Sequence, residues 1–508
     1  MRPFFWIVVA CLLTVDQAFA QPIGKEIEQY IEKTMLEWAV PGMAVAIVKD
    51  GKIISSRGYG VLKEGEKARV DDNTLFAIAS NTKAFVSSAL GVLQDEGKLR
   101  LDDRVQSYLP EFQLYHSYAS HEARIEDLLC HRLGLGTYSG DIIWYKSDFS
   151  AREVVSRIRY VPQAYSFRAG YGYSNLMFIA AGEVIMESSG MPWDQFVRER
   201  FLVPLGMDRT ICSSSDLQSK GNYAIPHKPD ELQNTPIAWV NWDNMGAAGG
   251  IISSANDMAK WLMLQLNRGI WNGDTILNPS TQNILWTPHN NHVVSDNSKK
   301  FNPGTKLSGY GLGWSVSDFY GHRLISHGGG YDGMYSLVAM IPELNLGIVI
   351  LTNTMKSIAT PIRQYVFNAY LPKENKDWST MALERAGKKS DMLMDIESIK
   401  KARVAGTSPT VALDRYAGMY HSNMLGNIHI SHEDERLTLS FEHAPGLSAS
   451  LRHWHYDTWE ILWEEPQAWF DFGTVQFNID NSMRVQGLVF DVPNEDIFFH
   501  ELKVTKTD

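Results

Sequence analysis

An α+β domain followed by an all-β domain is the architecture the sequence predicts, on three observations. Strand-like segments stand at both ends of the stretch up to Leu371, with helical periodicity between them. After Leu371 the chain turns charged, from Pro372 to Arg403, and breaks at Gly406-Thr407-Ser408-Pro409. From Leu413 onward only short alternating apolar segments recur, the pattern of an up-and-down β-barrel or a sandwich. The expected divisions are a signal peptide at 1–20, an α+β domain at 21–371, a linker at 372–410 and an all-β domain at 411–508.

The elements follow in order. Met1-Arg2-Pro3 gives a short basic start, Phe4 to Val15 a mostly apolar run, and Ala18-Phe19-Ala20 a small-x-small cleavage site. That is the pattern of a secretory signal peptide, so the mature chain is expected to be periplasmic or secreted. No later segment approaches the ~20 apolar residues that a membrane-spanning helix needs. Met43 to Lys49 and Lys52 to Gly58, joined by Asp50-Gly51, predict a hairpin. Ala77 to Gly97 predicts a helix, with capping chemistry in Asp71-Asp72-Asn73-Thr74 and a glycine stop at Glu96-Gly97-Lys98, which places Ser80 near a helix N-terminus. Further helices are expected at Arg124–Cys130, Ala151–Arg159, Asn175–Ser189 and Asn256–Asn267. Late strands are expected at Tyr310–Val316, Arg323–Ser326, Tyr335–Ile341 and Gly347–Asn353, so one sheet should bring the two ends of the domain together. In the last domain, strands are expected at Ile428–Ile430, Leu437–Phe441, Trp459–Trp463, Trp469–Phe472, Val485–Val489 and Ile497–Leu502.

Composition removes several classes of function. The chain of 508 residues is 44% hydrophobic and 21% charged, ordinary values for a globular protein. Its formal net charge of -11, without any long basic run, argues against a nucleic-acid partner and leaves a small-molecule or short-peptide substrate as the natural one. Once Cys11 leaves with the signal, Cys130 and Cys212 remain, and the sequence does not decide whether they pair. His453 and His455 share one strand face and could ligate a metal, but no cysteine or carboxylate accompanies them at ligand spacing. Neither a metal nor an organic cofactor is expected.

The chemistry concentrates at Ser80-Asn81-Thr82-Lys83. A serine hydroxyl needs a neighbouring base to act as a nucleophile near neutral pH, and lysine serves when desolvation frees its neutral amine. Positions i and i+3 of a helix lie on one face with Cβ atoms about 5–6 Å apart, so Lys83 can reach Ser80. Alone the spacing is weak, since about two such matches arise by chance in a chain of this composition. Ser398-Ile399-Lys400-Lys401, in the charged linker, repeats the spacing without the context. Two other segments imitate known sites: His327-Gly328-Gly329-Gly330 looks like a lipase oxyanion loop, but no G-x-S-x-G elbow accompanies it, and Ser295-Asp296-Asn297 stands out of order.

Ser80-Asn81-Thr82-Lys83, Tyr173-Ser174-Asn175 and His327-Gly328-Gly329 together resemble the three active-site elements of the serine β-lactamase and penicillin-binding superfamily, most closely its class C-like branch. Leu128 to Leu135, Phe167 to Asn175, Pro204 to Met207, Ala248 to Ser253 and Tyr310 to Trp314 extend the similarity, which runs from about Ile27 to Ala369. The last domain resembles the lipocalin-like barrel appended to some of these hydrolases. The resemblance implies a β-lactamase/transpeptidase-like domain, an antiparallel sheet flanked by helices, with a C-terminal all-β barrel. It also implies roles. Ser80 is expected to be the nucleophile, Lys83 its base or electrostatic activator and Tyr173 the proton shuttle, with Asn175, His327, Gly329 and Gly330 on the substrate. The oxyanion hole would use the backbone N–H groups of Ser80 and Gly330. His131 and the aromatic Trp144 and Tyr145 are expected to be structural, with Asp141, Trp144 and Tyr145 also within reach of the pocket rim.

His327 stands where the drug-target enzymes of this superfamily carry a lysine. A histidine with an ordinary pKa of about 6.5 is mostly neutral at pH 7 and holds a substrate carboxylate poorly. The expectation is therefore a serine hydrolase acting on amide or ester bonds, in short or D-amino-acid peptides or in esters, through a Ser80 acyl-enzyme. A class C-like β-lactamase and a penicillin-binding or ligand-binding module with little turnover are the alternatives. By the same resemblance, a homo-oligomer in which one subunit's barrel restricts another's site stays open.

Overall fold

The computed structural model describes residues 24–507 apart from 230–233, 297, 298, 300, 301, 303, 374 and 387–390. The expected signal peptide and Cys11 lie outside the described residues. An eight-stranded antiparallel sheet organises the first domain. Its strands are β1 (Gly42–Lys49), β2 (Lys52–Gly60), β3 (Asn290–Asn291), β4 (Ser308–Tyr310), β5 (Ser315–Phe319), β6 (His322–Tyr331), β7 (Met334–Ile341) and β8 (Leu346–Thr352), in the order β2-β1-β8-β7-β6-β5-β4-β3. The early hairpin thus completes a sheet built from late strands, with Val45 opposite Ile350 in the β1–β8 pair.

Burial explains the order. Strand β1 is apolar on both faces and therefore interior, whereas β2, with Lys52, Ser55, Ser56 and Arg57, forms the edge. Alternate β1 residues serve different layers. Val45 and Ile47 pack with Ile27 and Ile31 of α1 (Lys25–Glu37) and with Ile362 and Val366 of the helix Ala359–Ala369. Ala44, Ala46 and Val48 face the other layer, which contains α2 (Thr82–Asp95), α3 (Asn175–Ser189) and α4 (Ala255–Leu266).

The helix expected from Ala77 starts later. Phe76–Ala77 pairs instead with Ile252–Ser253 as a short ladder, Ala79–Asn81 forms a 3₁₀ turn, and α2 begins at Thr82. Tertiary pairing overrides helical periodicity here, and Ser80 sits in the turn that feeds the helix. The Asp71–Thr74 segment does not cap α2; Thr74 Oγ1 and Asp71 bond Asn222, and Asp72 O accepts from Asn256 N in the first turn of α4. The segment expected as one strand from Tyr310 to Val316 is broken at Gly313, whose φ is +76° and whose Cβ position lies 2.8 Å from Lys83 O. Only glycine lets the chain turn that close to α2.

The charged stretch after Leu371 carries the helices Trp378–Ala386 and Asp391–Lys401. Ser379 ties the first of these to α1, donating its N–H to Tyr30 Oη at 2.8 Å. Beyond it, eight antiparallel strands from Gly418–Ser422 to Val504–Lys506 close into a barrel filled by side chains such as Tyr420, Ile428, Trp459 and Phe477. Two expected strands are absent from it: Trp469–Phe472 is irregular, and Phe499–Glu501 is a 3₁₀ turn. The barrel seats on the first domain through polar contacts. Arg157 donates to Asn423 O (2.9 Å), Lys146 to Gln467 Oε1 (2.6 Å), and Gly140 N to Glu501 Oε2 (2.7 Å).

Candidate active site

The turn Ile78–Asn81 is clamped from several sides. Ala79 holds a left-handed φ of 46°, a strained value for a residue with a Cβ that surrounding contacts must enforce. Ser336 of β7 supplies such contacts, donating to Ile78 O (2.6 Å) and accepting from Asn81 Nδ2 (2.8 Å). Gly329 of β6 lies against the same turn, where a Cβ would fall 2.3 Å from Ile78 O and 3.0 Å from Ser80 N. Strand β6 can approach Ser80 only because that position is glycine.

Lys83, on the first turn of α2, is fully buried. Its Nζ donates to Ser80 Oγ at 3.0 Å, to Asn175 Oδ1 at 2.7 Å and to Ala248 O at 2.7 Å. Three acceptors match the three protons of an ammonium; a neutral amine keeps two of these bonds and turns a lone pair to the serine hydroxyl. Burial pushes the lysine pKa down to about 7, opposed by the Asp141 carboxylate, so the neutral amine is populated near neutral pH.

Asn175 opens α3 and bridges two titratable groups, for its Nδ2 donates to Asp141 Oδ2 at 2.6 Å. Burial raises the Asp141 carboxyl, opposed by its hydrogen bond with Asn175 and by the charge on Lys83, so the carboxylate is the form that accompanies the charged amine. Tyr173 enters from the extended segment before α3, with its ring 4.9 Å from Lys83 Nζ. Burial raises its phenol well above 10, opposed by a hydrogen bond with Ser80. The phenol therefore keeps its proton at neutral pH.

Behind Tyr173 stand two histidines. His131 packs 4.4 Å from its ring centroid and accepts from Ser174 N at 3.1 Å. His327 donates from Nδ1 to Gly328 O (2.6 Å), which leaves Nε2 to accept from Tyr310 Oη (2.7 Å). Burial, with Lys83 nearby, lowers the His327 pKa to about 3, so the imidazole is neutral. Its two nitrogens are occupied, and it lies behind Tyr173, outside the cavity wall.

Above Ser80 opens a cavity of ≈ 590 Å³. Ser80, Tyr138, Asp141, Trp144, Asn175, Trp242 and Gly330 line it from the first domain, and Trp469, Glu495, Asp496, Ile497 and Phe498 from the C-terminal one. Gly330 meets the C-terminal wall directly, its Cβ position 3.3 Å from the Trp469 ring. Of the expected site residues, Ser80, Lys83, Tyr173 and Asn175 converge, Gly329 and Gly330 follow the serine along β6, and His327 stands in the layer behind. Tyr145 turns away from the rim to bond Asp332 at 2.8 Å. Asp141 forms the floor under Asn175, and the C-terminal segments at Trp469 and 495–498, which sequence motifs did not mark, complete the wall. A larger cavity of ≈ 850 Å³ lies along the same seam near Lys146, Trp239 and Glu465, without any of the converging residues.

Among the described residues no group of three or more His, Cys, Asp or Glu could hold a metal. His453 and His455 bond the backbone at Tyr456 O and Val404 N. Cys130 and Cys212 are unpaired.

A sheet bearing a Ser-x-x-Lys turn beside a Tyr-x-Asn segment defines a β-lactamase/transpeptidase-like protein. The family model described as Beta-lactamase matches residues 27–370, and the chain belongs to that family. A second model, Domain of unknown function (DUF3471), matches residues 402–506. Unguisins hydrolase ungD' of Aspergillus campestris is 29% identical over 462 residues, covering 84% of this chain and 81% of its own. Protein flp of Staphylococcus aureus is 25% identical over 370 residues, 70% of this chain and 68% of its own. The solved structure of the octameric penicillin-binding protein homologue from Pyrococcus abyssi matches with a TM-score of 0.61 at 20% identity, covering 95% of this chain and 99% of that one. That likeness shows a common fold, barrel included.

Proposed function

We propose that the chain is a serine hydrolase that cleaves amide or ester bonds through an acyl-enzyme on Ser80. One observation carries the reading: the buried Lys83 amine, its pKa lowered to about 7, stands 3.0 Å from the Ser80 hydroxyl. Ser80 Oγ attacks the substrate carbonyl while its proton passes to neutral Lys83, with the Tyr173 phenol in the same hydrogen-bonded group as relay. The backbone N–H groups of Ser80 and Gly330 receive the oxyanion, and the second Nδ2 proton of Asn175 is available to the substrate amide oxygen. The leaving amine or alcohol takes the proton back, and water repeats the sequence on the ester. Because the phenol of Tyr173 stays protonated, it relays a proton and does not act as a standing phenolate base.

The substrate reading is a short peptide, amide or ester without an essential carboxylate. Among the described residues lining the cavity there is no lysine or arginine, whereas Asp141, Glu495 and Asp496 are present. The hydrolase named among the relatives supports hydrolysis as the reaction class. A periplasmic or secreted location rests on residues 1–20, and a homo-oligomer on the octameric neighbour.

The test is a parallel screen of a p-nitrophenyl ester, a D-alanine anilide, a D-Ala-D-Ala peptide and a cephalosporin, with Ser80→Ala as control. Turnover of the ester or anilide is expected, with a loss of about 10³-fold or more in Ser80→Ala. Activity retained in Ser80→Ala sinks the proposal, and efficient turnover of the cephalosporin alone converts it to a β-lactamase.

A further inference from the structure

We propose that the C-terminal barrel is a working part of its own chain's active site: Glu501 positions the Ser139–Asp141 turn, and Asp141, through Asn175, fixes the Lys83 amine on Ser80. This rests on the serine-hydrolase reading above and adds two positioning residues to it.

The argument starts at the Asn175 amide, which has a donor end and an acceptor end. Its Oδ1 must face Lys83, because Nδ2 there would set donor against donor. Asp141 decides between the two orientations, since a carboxylate Oδ2 at 2.6 Å accepts only from Nδ2. Asn175 Oδ1 is then held 2.7 Å from Lys83 Nζ, which leaves that nitrogen 3.0 Å from Ser80 Oγ. A neutral residue with both donor and acceptor character at 141 would not enforce that choice.

Asp141 in turn sits on a turn that its own bonds, Asp141 N to Tyr138 O and Ser139 N to Gly136 O (both 3.1 Å), close only in part. Tyr138 and Gly140 both have left-handed φ values, 60° and 82°. Such backbone persists where its surroundings over-determine it. Gly140 cannot be replaced cheaply, because a Cβ would fall 2.6 Å from Val161 Cγ2 and 2.7 Å from Leu176 Cδ1. Two further donors of this turn, the Gly140 N–H and the Ser139 hydroxyl, go to the other domain. Gly140 N donates to Glu501 Oε2 at 2.7 Å, and Ser139 Oγ donates to Glu501 Oε1. Glu501 ends the turn Phe499–Glu501, whose Phe499 is fully buried against Phe470 and Trp463. The barrel thus offers a rigid anchor rather than a free side chain.

A positioning role predicts a change in proton affinity that a merely structural role does not. The groups facing Lys83 are Asp141, Tyr173, His131 and His327; those facing Asp141 include Lys83, Tyr138 and Asp496. Both histidines are held neutral by burial and Tyr173 is held protonated, so Asp141 is the facing group whose charge opposes the lowering of the lysine pKa. Removing that charge makes the amine lose its proton at lower pH.

The experiment measures the rate constant for labelling Ser80 with a fluorophosphonate probe from pH 5 to 9, in the full chain, for wild type, Asp141→Asn, Glu501→Gln, the double variant and Ser80→Ala. Asp141→Asn is expected to shift the acid limb to lower pH and to lower the plateau about tenfold or more. Glu501→Gln is expected to lower the plateau several-fold, since an amide cannot accept both bonds, and to add little in the double variant because it acts through Asp141. An unmoved acid limb in folded Asp141→Asn, or losses that multiply in the double variant, overturns the proposal. Should Asp141→Asn not fold, wild-type labelling by Glu501→Gln overturns it. Labelling that survives in Ser80→Ala faults the serine-hydrolase reading instead.

Discussion

At the scale of the residue, the protein places an amine in a dry setting and surrounds it with acceptors. Lys83 is charged below about pH 7 and neutral above, so the rate of attack by Ser80 should rise with pH to a plateau beyond that value. Arginine at this position tests the assignment, because a guanidinium does not deprotonate in proteins. Lys83→Arg is expected to lower kcat/KM by about 10²- to 10⁴-fold at every pH between 6 and 9. A pH profile like that of the wild type in Lys83→Arg would show that the base lies elsewhere. The Ser80–Lys83 pair was legible in the sequence because i and i+3 meet on any helical turn. Asp141 was visible as a pocket residue but not as the partner of Asn175, since 34 residues separate them and no local spacing encodes that contact.

At the scale of the element, legibility followed the source of stability. Helix α3 was read in full from its apolar run, and Gly190, with a φ of 75°, closes it. The start of α2 was misread because the residues before it pair with Ile252–Ser253, a long-range ladder that competes with helical periodicity. Trp469–Phe472 and Ile497–Leu502 were misread as strands for another reason. Their apolar residues alternate because some face the barrel and others face the seam, as Trp469 and Phe498 do. The contact of β6 with the serine turn gives the prediction for this scale. Gly329→Ala drives a methyl into Ile78 O, a backbone atom that cannot swing aside, so the strand or the turn must move. Urea denaturation should show a loss of about 1–3 kcal/mol, and the residual enzyme should label at Ser80 more slowly than wild type. Unchanged stability and labelling would mean that the approach of β6 to Ser80 is looser than this geometry.

At the scale of the whole molecule, the barrel is more than an appendage, because its segments at Trp469 and 495–498 supply part of the wall above the serine. Substrate contacts should therefore divide between the domains. Ser80, Lys83, Tyr173 and Asn175 all come from the first domain, so under the proposed mechanism the C-terminal wall is expected to meet the substrate around the scissile bond. Interactions made equally with substrate and transition state change KM and leave kcat, whereas groups that act in the transition state change kcat. Trp469 allows the two to be separated, since its ring meets Gly330 across the seam and forms cavity wall, whereas Ser80, Lys83 and Tyr173 belong to the first domain. Trp469→Ala opens the wall beside Gly330 without altering the amine, the phenol or the Asn175–Asp141 bond. The expected outcome in steady-state kinetics on the p-nitrophenyl ester is a KM raised about 5- to 50-fold, the scale of one lost aromatic contact, with kcat changed far less. The position of the acid limb should stay with the wild type, because no charge near Lys83 has changed. A fall in kcat equal to that in kcat/KM would place Trp469 in the transition state and remove the division of labour argued here.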